Sequence, residues 1–232
     1  MLAIYPTPED VAEAVADKVV ATVAGSARTT VGLAGGSTPS AAYRRLAERP
    51  VDWSRTTLWL GDERWVPHDH PEANSGMARQ TLGERAATQL LAPDFDLGDA
   101  ARAAAAYEAE LRAAFAAADE QGRPGLVLLG MGDDGHTASL FPGTDALEVT
   151  DRSYVANWLG DKGTWRLTAT LPLLWAAREV VFIVTGEAKA AMLARIIEGH
   201  EPFPAQRVAA GNTNTSWFLD EAAASQLRKT PR

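Results

Sequence analysis

The feature that most constrains this chain is a repeated change of hydrophobic period. A short apolar run of strand type gives way, across a polar or glycine-containing break, to a stretch of helical type. TTVGLAG (residues 29–35) is broken by GGSTPS and resumes as the helical SAAYRRLAE, EVVFIVTG (179–186) runs into EAKAAMLARII, and TSWFLDEAAA (215–224) repeats the pattern. TTLWLG (56–61) and GLVLLG (125–130) are two further strands. Thr7 and Pro8 open a helix with a stripe at Val11, Val15 and Val19, and residues 101–118 form another with Tyr107, Leu111 and Phe115 on one face. SYVANW and WRLTATL, joined by the turn-like GDKG, form an additional strand pair. Strands alternating with helices predict an α/β fold, a mostly parallel, Rossmann-like open sheet with helices on both faces. No linker or break in composition divides the chain, so residues 1–232 are read as a single domain.

In such a sheet, ligands bind outside the carboxyl ends of the strands. The loops GGSTPS, GDERWVP, GMGDDGHTAS and TGEAKA all follow strands and should share one rim. One of them holds a literal G-x-G-x-x-G in Gly130, Gly132 and Gly135. It is a poor dinucleotide loop, because only residues 136–141 precede the break at Pro142-Gly143, and Asp133 and Asp134 would confront a pyrophosphate.

Composition narrows the chemistry. The absence of cysteine removes disulfides, thiolate metal sites and a cysteine nucleophile. A formal net charge of −8 disfavours nucleic acid and anionic membranes as partners but leaves room for a small anion where cations converge. No apolar stretch approaches the roughly 18 residues of a membrane span. The start MLAIYPTPED has neither a basic nor an apolar leader segment, so a cytoplasmic location is expected.

GGSTPS combines flexible glycines, hydroxyl side chains and a helix start, with Pro39 expected at the first helical position. It suits an anion cradle, and equally a tight turn capped by Ser37 or Thr38. Lys189 falls in the first turn of the helix after EVVFIVTG, where a cation is awkward unless an anion is bound there. Arg166 opens a strand whose face it shares with Thr168 and Thr170, and Arg64 follows the strand TLWLG. Each alone reads as a solvated surface cation; together on one rim they point to a sugar phosphate. His68 and His70 have metal-ligand spacing without a third ligand, and His200 sits just beyond a helix, where it complements the dipole. His136 differs. It follows Asp134-Gly135 at the expected start of a short helix, whose positive end favours a neutral, proton-accepting imidazole, with Asp134 placed to orient it. The alternative is a turn with His136 as an ordinary loop residue. No G-x-S-x-G appears, so a serine nucleophile on a hydrolase elbow is not indicated.

Taken in order, GGSTP (35–39), GDERWVP (61–67), GMGDDGHTASLFPG (130–143), RLT (166–168) and TGEAKA (185–190) resemble the 6-phosphogluconolactonases and, more distantly, the glucosamine-6-phosphate isomerase/deaminase group. The resemblance spans most of the chain. It implies the sugar-phosphate isomerase/lactonase fold, with His136 as general base beside Asp134. Arg166 and Lys189, with Gly35, Gly36, Ser37 and Thr38, would hold the phosphate, and Arg64 would lie near the substrate. The implied reaction is hydrolysis of 6-phospho-D-glucono-1,5-lactone in the oxidative pentose phosphate pathway. It would need no cofactor or metal and would be carried out by a monomer or weak homo-oligomer. Two departures stand out. Ala73 occupies the position before Asn74 where a serine is expected, and Leu140-Phe141-Pro142 stands where the isomerases carry an acidic residue in a stretch like FNEP. The second favours the lactonase over the isomerase/deaminase, and a non-catalytic sugar-phosphate binder is the remaining alternative.

Overall fold

A computed structural model describes residues 1–118 and 121–228 and arranges the strands in two sheets. The strands are β1 (Leu2–Tyr5), β2 (Thr29–Leu33), β3 (Thr56–Leu60), β4 (Asp62–Arg64), β5 (Leu90–Leu91), β6 (Leu126–Leu129), β7 (Tyr154–Leu159), β8 (Thr164–Ala169), β9 (Glu179–Val184) and β10 (Thr215–Asp220). The helices are α1 (Pro8–Ala24), α2 (Ser37–Ala47), α3 (Asn74–Leu82), α4 (Glu84–Ala87), α5 (Ala100–Ala117), α6 (Leu171–Ala176), α7 (Ala190–Ile197), α8 (Pro204–Gly211) and α9 (Glu221–Ala224). The larger sheet has the order β1-β10-β9-β6-β2-β3-β5, and every neighbouring pair in it is parallel. β4, β8 and β7 form a separate antiparallel sheet.

Continuous apolar runs suit strands covered on both faces, because alternate residues then enter opposite cores. On one side, Val31, Leu58, Leu128 and Ile183 pack with Val15 and Val19 of α1 and with Tyr43 and Leu46 of α2. On the other, Trp59, Val127, Leu129 and Phe182 pack with Tyr107, Leu111 and Phe115 of α5 and with Tyr154 and Leu167 of the small sheet. Gly32 in the central strand has a steric reason: a Cβ there would come within 2.6 Å of the Trp59 indole. Among the described residues, no helix is long and apolar enough to cross a membrane.

Three local expectations are corrected. GDERWVP does not leave β3 as a loop: Asp62, Glu63 and Arg64 form β4, whose hydrogen-bonding groups are taken up by β8 from far along the chain. α2 begins at Ser37 with Gly36 as its N-cap, so Pro39 is the third helical residue rather than the first. Proline is tolerated there for the same reason, since the first four helical N–H groups have no intrahelical acceptor. Finally, no helix follows Gly135. Thr137 and Leu140 instead close a tight turn with Ala138 in the left-handed region at φ 48°.

Candidate active site

β2 and β6 lie side by side, but from β2 the chain proceeds to β3 on one flank, whereas from β6 it proceeds to β9 on the other. The sheet's switch point therefore lies between them, and a crevice opens outside their carboxyl ends. A cavity of about 360 Å³ occupies this place. Gly35, Gly36, Ser37, Thr38, Arg64, His136, Arg166 and Lys189 all line it. Asp134 does not line it but holds His136 from behind.

The loop after β2 is fixed by its own helix. The buried Tyr43 hydroxyl of α2 accepts from Ala34 N at 2.9 Å and donates to Ala34 O at 3.0 Å. Side chains at the next two positions are excluded for different reasons. A Cβ on Gly35 would collide with Asn74 Oδ1, and Gly36 sits at φ 104°, which favours glycine. No side chain caps α2, so neither Ser37 nor Thr38 serves as the cap, and its first turn lines the cavity. The Thr38 hydroxyl lies 2.9 Å from that of Thr185, tying this loop to the one after β9. Lys189 follows there as the N-cap of α7. Its awkward charge already has a partner, because Nζ lies 2.5 Å from Asp133 Oδ1. Asp133 is 79% exposed, so this pair is weak enough for a bound anion to share or replace it.

The imidazole of His136 is held on three sides. Asp134 Oδ1 accepts from Nδ1 at 2.5 Å and from the His136 backbone N at 3.1 Å. Phe141 stacks on one ring face, with centroids 4.0 Å apart. Gly132 approaches so closely that a Cβ on it would collide with Nδ1 and Cε1. Because Nδ1 donates to a carboxylate, a neutral ring carries its lone pair on Nε2. Burial pushes the Asp134 pKa up, but hydrogen bonds and charge from His136 outweigh it and hold this carboxyl below its ordinary value. The helix dipole expected to keep His136 neutral is absent, and the turn geometry explains why: Ser139 is drawn away to donate to Asp62 Oδ2 at 2.7 Å.

The antiparallel sheet sets Arg64 opposite Arg166. Arg64 Nη1 donates to Glu72 O at 2.7 Å. Burial, followed by the neighbouring Arg64, lowers the Arg166 pKa from its ordinary value. Beneath them the buried Glu63 accepts from Asn74 N at 2.7 Å and Ser75 N at 2.8 Å, supplying the cap for α3 that Ala73 lacks. Burial raises the Glu63 pKa despite those donors. The same arrangement aims Asn74 at Gly35, with its Nδ2 on Asp62 O at 2.8 Å and its buried Oδ1 unpartnered. Asp62, Asn74, Ser139, Phe141, Lys162 and Thr185 thus join the cavity beyond the residues expected. All but Lys162 lie in or beside the strand-terminal motifs; the tip of a β-hairpin carries no comparable signal. His68 and His70 bond locally, to Ser75 Oγ and Glu72 N, and no cluster suited to a metal ion occurs among the described residues.

Residues 6–217 match the family described as glucosamine-6-phosphate isomerases/6-phosphogluconolactonase. The chain belongs to that family. Its relatives include a 6-phosphogluconolactonase of Nostoc sp., 39% identical over 86% of this chain and 85% of the relative. A human 6-phosphogluconolactonase is 39% identical over 93% and 88%. The solved 6-phosphogluconolactonase of Trypanosoma brucei superposes with a TM-score of 0.86 at 28% identity, covering 98% of each chain. A monomeric glucosamine-6-phosphate deaminase, 19% identical with a TM-score of 0.82 over 97% of this chain and 99% of its own, shares the family's fold.

Proposed function

We propose that this protein hydrolyses 6-phospho-D-glucono-1,5-lactone to 6-phosphogluconate, the reaction of the oxidative pentose phosphate pathway, with His136 as general base. The observation that carries the reading is the imidazole wedged between Gly132, Phe141 and Asp134 on a cavity whose rim also holds an uncapped helix start. The similarity to 6-phosphogluconolactonases along almost the whole chain supports it.

Nε2 of neutral His136 takes a proton from water as its oxygen attacks the lactone carbonyl carbon. The tetrahedral intermediate collapses with cleavage of the acyl C–O bond, the imidazolium returns the proton to the departing ring oxygen, and the new acid ionises. Asp134 holds the ring and stabilises the imidazolium. The first turn of α2, Thr38 and Lys189 anchor the phosphate, with Arg166 and Arg64 alongside, so that binding energy at the remote end positions the carbonyl. Phe141, an apolar ring against the base, is poorly suited to the additional proton transfers of an amino-sugar isomerase, and this favours the lactonase.

The test is a lactone hydrolysis assay at a pH where spontaneous opening is slow, run beside assays of amino-sugar phosphate isomerisation and deamination. Enzymatic ring opening is expected only in the first. Well-folded protein without lactonase activity overturns the proposal, and activity in the other assays redirects it to the isomerase/deaminase side of the family.

A further inference from the structure

Lys162 has no acidic partner among the described residues, although the chain has 30 acidic side chains against 22 basic ones. It sits in the turn of the β7–β8 hairpin, lines the cavity, and rests its ammonium 4.4 Å from the centroid of Phe141. The imidazole of His136 stacks on Phe141 at 4.0 Å. One aromatic ring thus contacts both the base and the Lys162 ammonium. The cavity wall as a whole presents four cations, Arg64, Lys162, Arg166 and Lys189, against the single carboxylate Asp62. Asp133, paired with Lys189, offsets a further positive charge. A phosphomonoester of about two negative charges is met by Arg64, Arg166 and Lys189 at the strand ends, which leaves Lys162 at the hairpin tip without an assigned anion. Ester hydrolysis creates the third negative charge, at the carbon that the base serves.

We propose that Lys162 is the counter-charge for the carboxylate formed by the reaction, so that the cavity recognises an open-chain 6-phosphorylated aldonate at both ends. This rests on the lactonase reading above. An ammonium on an aromatic face is held without being neutralised, and its flexible stem lets it leave the ring for an anion. Recognition of the product carboxylate also implies competitive inhibition by product, since the substrate has a neutral carbonyl where the product has a charge.

The test compares two probes by titration calorimetry: 6-phosphogluconate and the 6-phosphorylated alditol of the same chain, in which C1 is a neutral hydroxymethyl group. Wild type should prefer the aldonate by roughly tenfold, the scale of one charge-assisted contact. Lys162→Met should abolish the preference while binding the alditol within about twofold of wild type, and Lys162→Arg should retain most of it. The inhibition constant of the aldonate against lactone hydrolysis should rise in Lys162→Met by the same factor. Equal weakening of both probes makes Lys162 a phosphate ligand or a structural residue and overturns the proposal, as does an intact preference in Lys162→Met. Lactone turnover by the same wild-type preparation separates the two possible failures. Turnover without an aldonate preference sinks this inference alone, and folded protein without turnover sinks the lactonase reading with it.

Discussion

At the level of single residues, Gly132 and His136 are closely coupled, since a Cβ on Gly132 would collide with Nδ1. His136→Ala should retain the fold and lose about two to four orders of magnitude in kcat, the usual range for a general acid–base group, with Asp134→Asn less affected. Gly132→Ala should imitate much of this loss without touching the base. Its methyl would displace the imidazole, and a misplacement of about 1 Å costs on the order of a hundredfold. Steady-state kinetics on variants with wild-type circular dichroism check both; an unchanged kcat in either variant would detach the ring from the chemistry. Lys189→Ala should reduce kcat/KM for the phosphorylated lactone by roughly ten- to a hundredfold, from the loss of a charge-assisted contact. The unphosphorylated lactone is the control and should barely respond. An equal loss on both lactones would rule out Lys189 as the phosphate anchor. Asp134, with its lowered pKa, supports the fold above the unfolded carboxyl value of about 3.9. That contribution disappears as pH falls through the still lower folded value, so it is intact at neutral pH.

Among the elements, α3 depends on a cap supplied from outside its own sequence. Both carboxylate oxygens of Glu63 accept backbone N–H groups, Oε1 from Arg64 and Asn74 and Oε2 from Ser75. Glu63→Gln leaves one acceptor and turns an amide N–H₂ toward a backbone donor. Urea unfolding should register a loss of about 1–3 kcal/mol, the cost of an unsatisfied buried group. The start of α3 also carries Asn74, so KM should rise in the same variant. A stability equal to wild type would show that the helix start does not need this carboxylate. The same dependence explains why α3 escapes the sequence reading: Ala73 offers no capping side chain, and the residue that replaces it lies ten positions earlier on another element. β4 escapes for a related reason. Three residues carry no periodicity, and only pairing with β8 makes them a strand. Residues 136–141 fail in the opposite direction, since their composition suits a short helix but the pull of Ser139 toward Asp62 and the left-handed Ala138 fold them into a turn.

For the whole molecule, the antiparallel sheet and the parallel sheet share one core. Tyr154, Leu167 and Ala169 belong to the same apolar cluster as Val127, Leu129 and Phe182. We therefore propose that the chain is one domain and unfolds as one cooperative unit. Calorimetry should show a single transition with calorimetric and van't Hoff enthalpies in agreement. Two resolved transitions would make the antiparallel sheet a separate domain. Cooperativity matters to the site because its cations come from both sheets, Arg64, Lys162 and Arg166 from the small one and Lys189 from the loop after β9.

The sequence by itself determined the alternation of strands and helices, and with it the rim on which the motifs meet. Both follow from local periodicity and from the rule that places ligands at the carboxyl ends of parallel strands. It also marked the strand-terminal residues that line the cavity, because glycine, proline and charge at the ends of apolar runs are local signals. Only the tertiary structure decided what those residues face. The carboxylate opposite Lys189, the stack of Phe141 on His136, the pairing of Arg64 with Arg166 and the contact of Lys162 with Phe141 each join residues through space. Even where the partners are near in sequence, as with His136 and Phe141, the contact requires a turn that is imposed from outside the segment. Such contacts are fixed by packing and pairing between elements, and no pattern within a single segment encodes them.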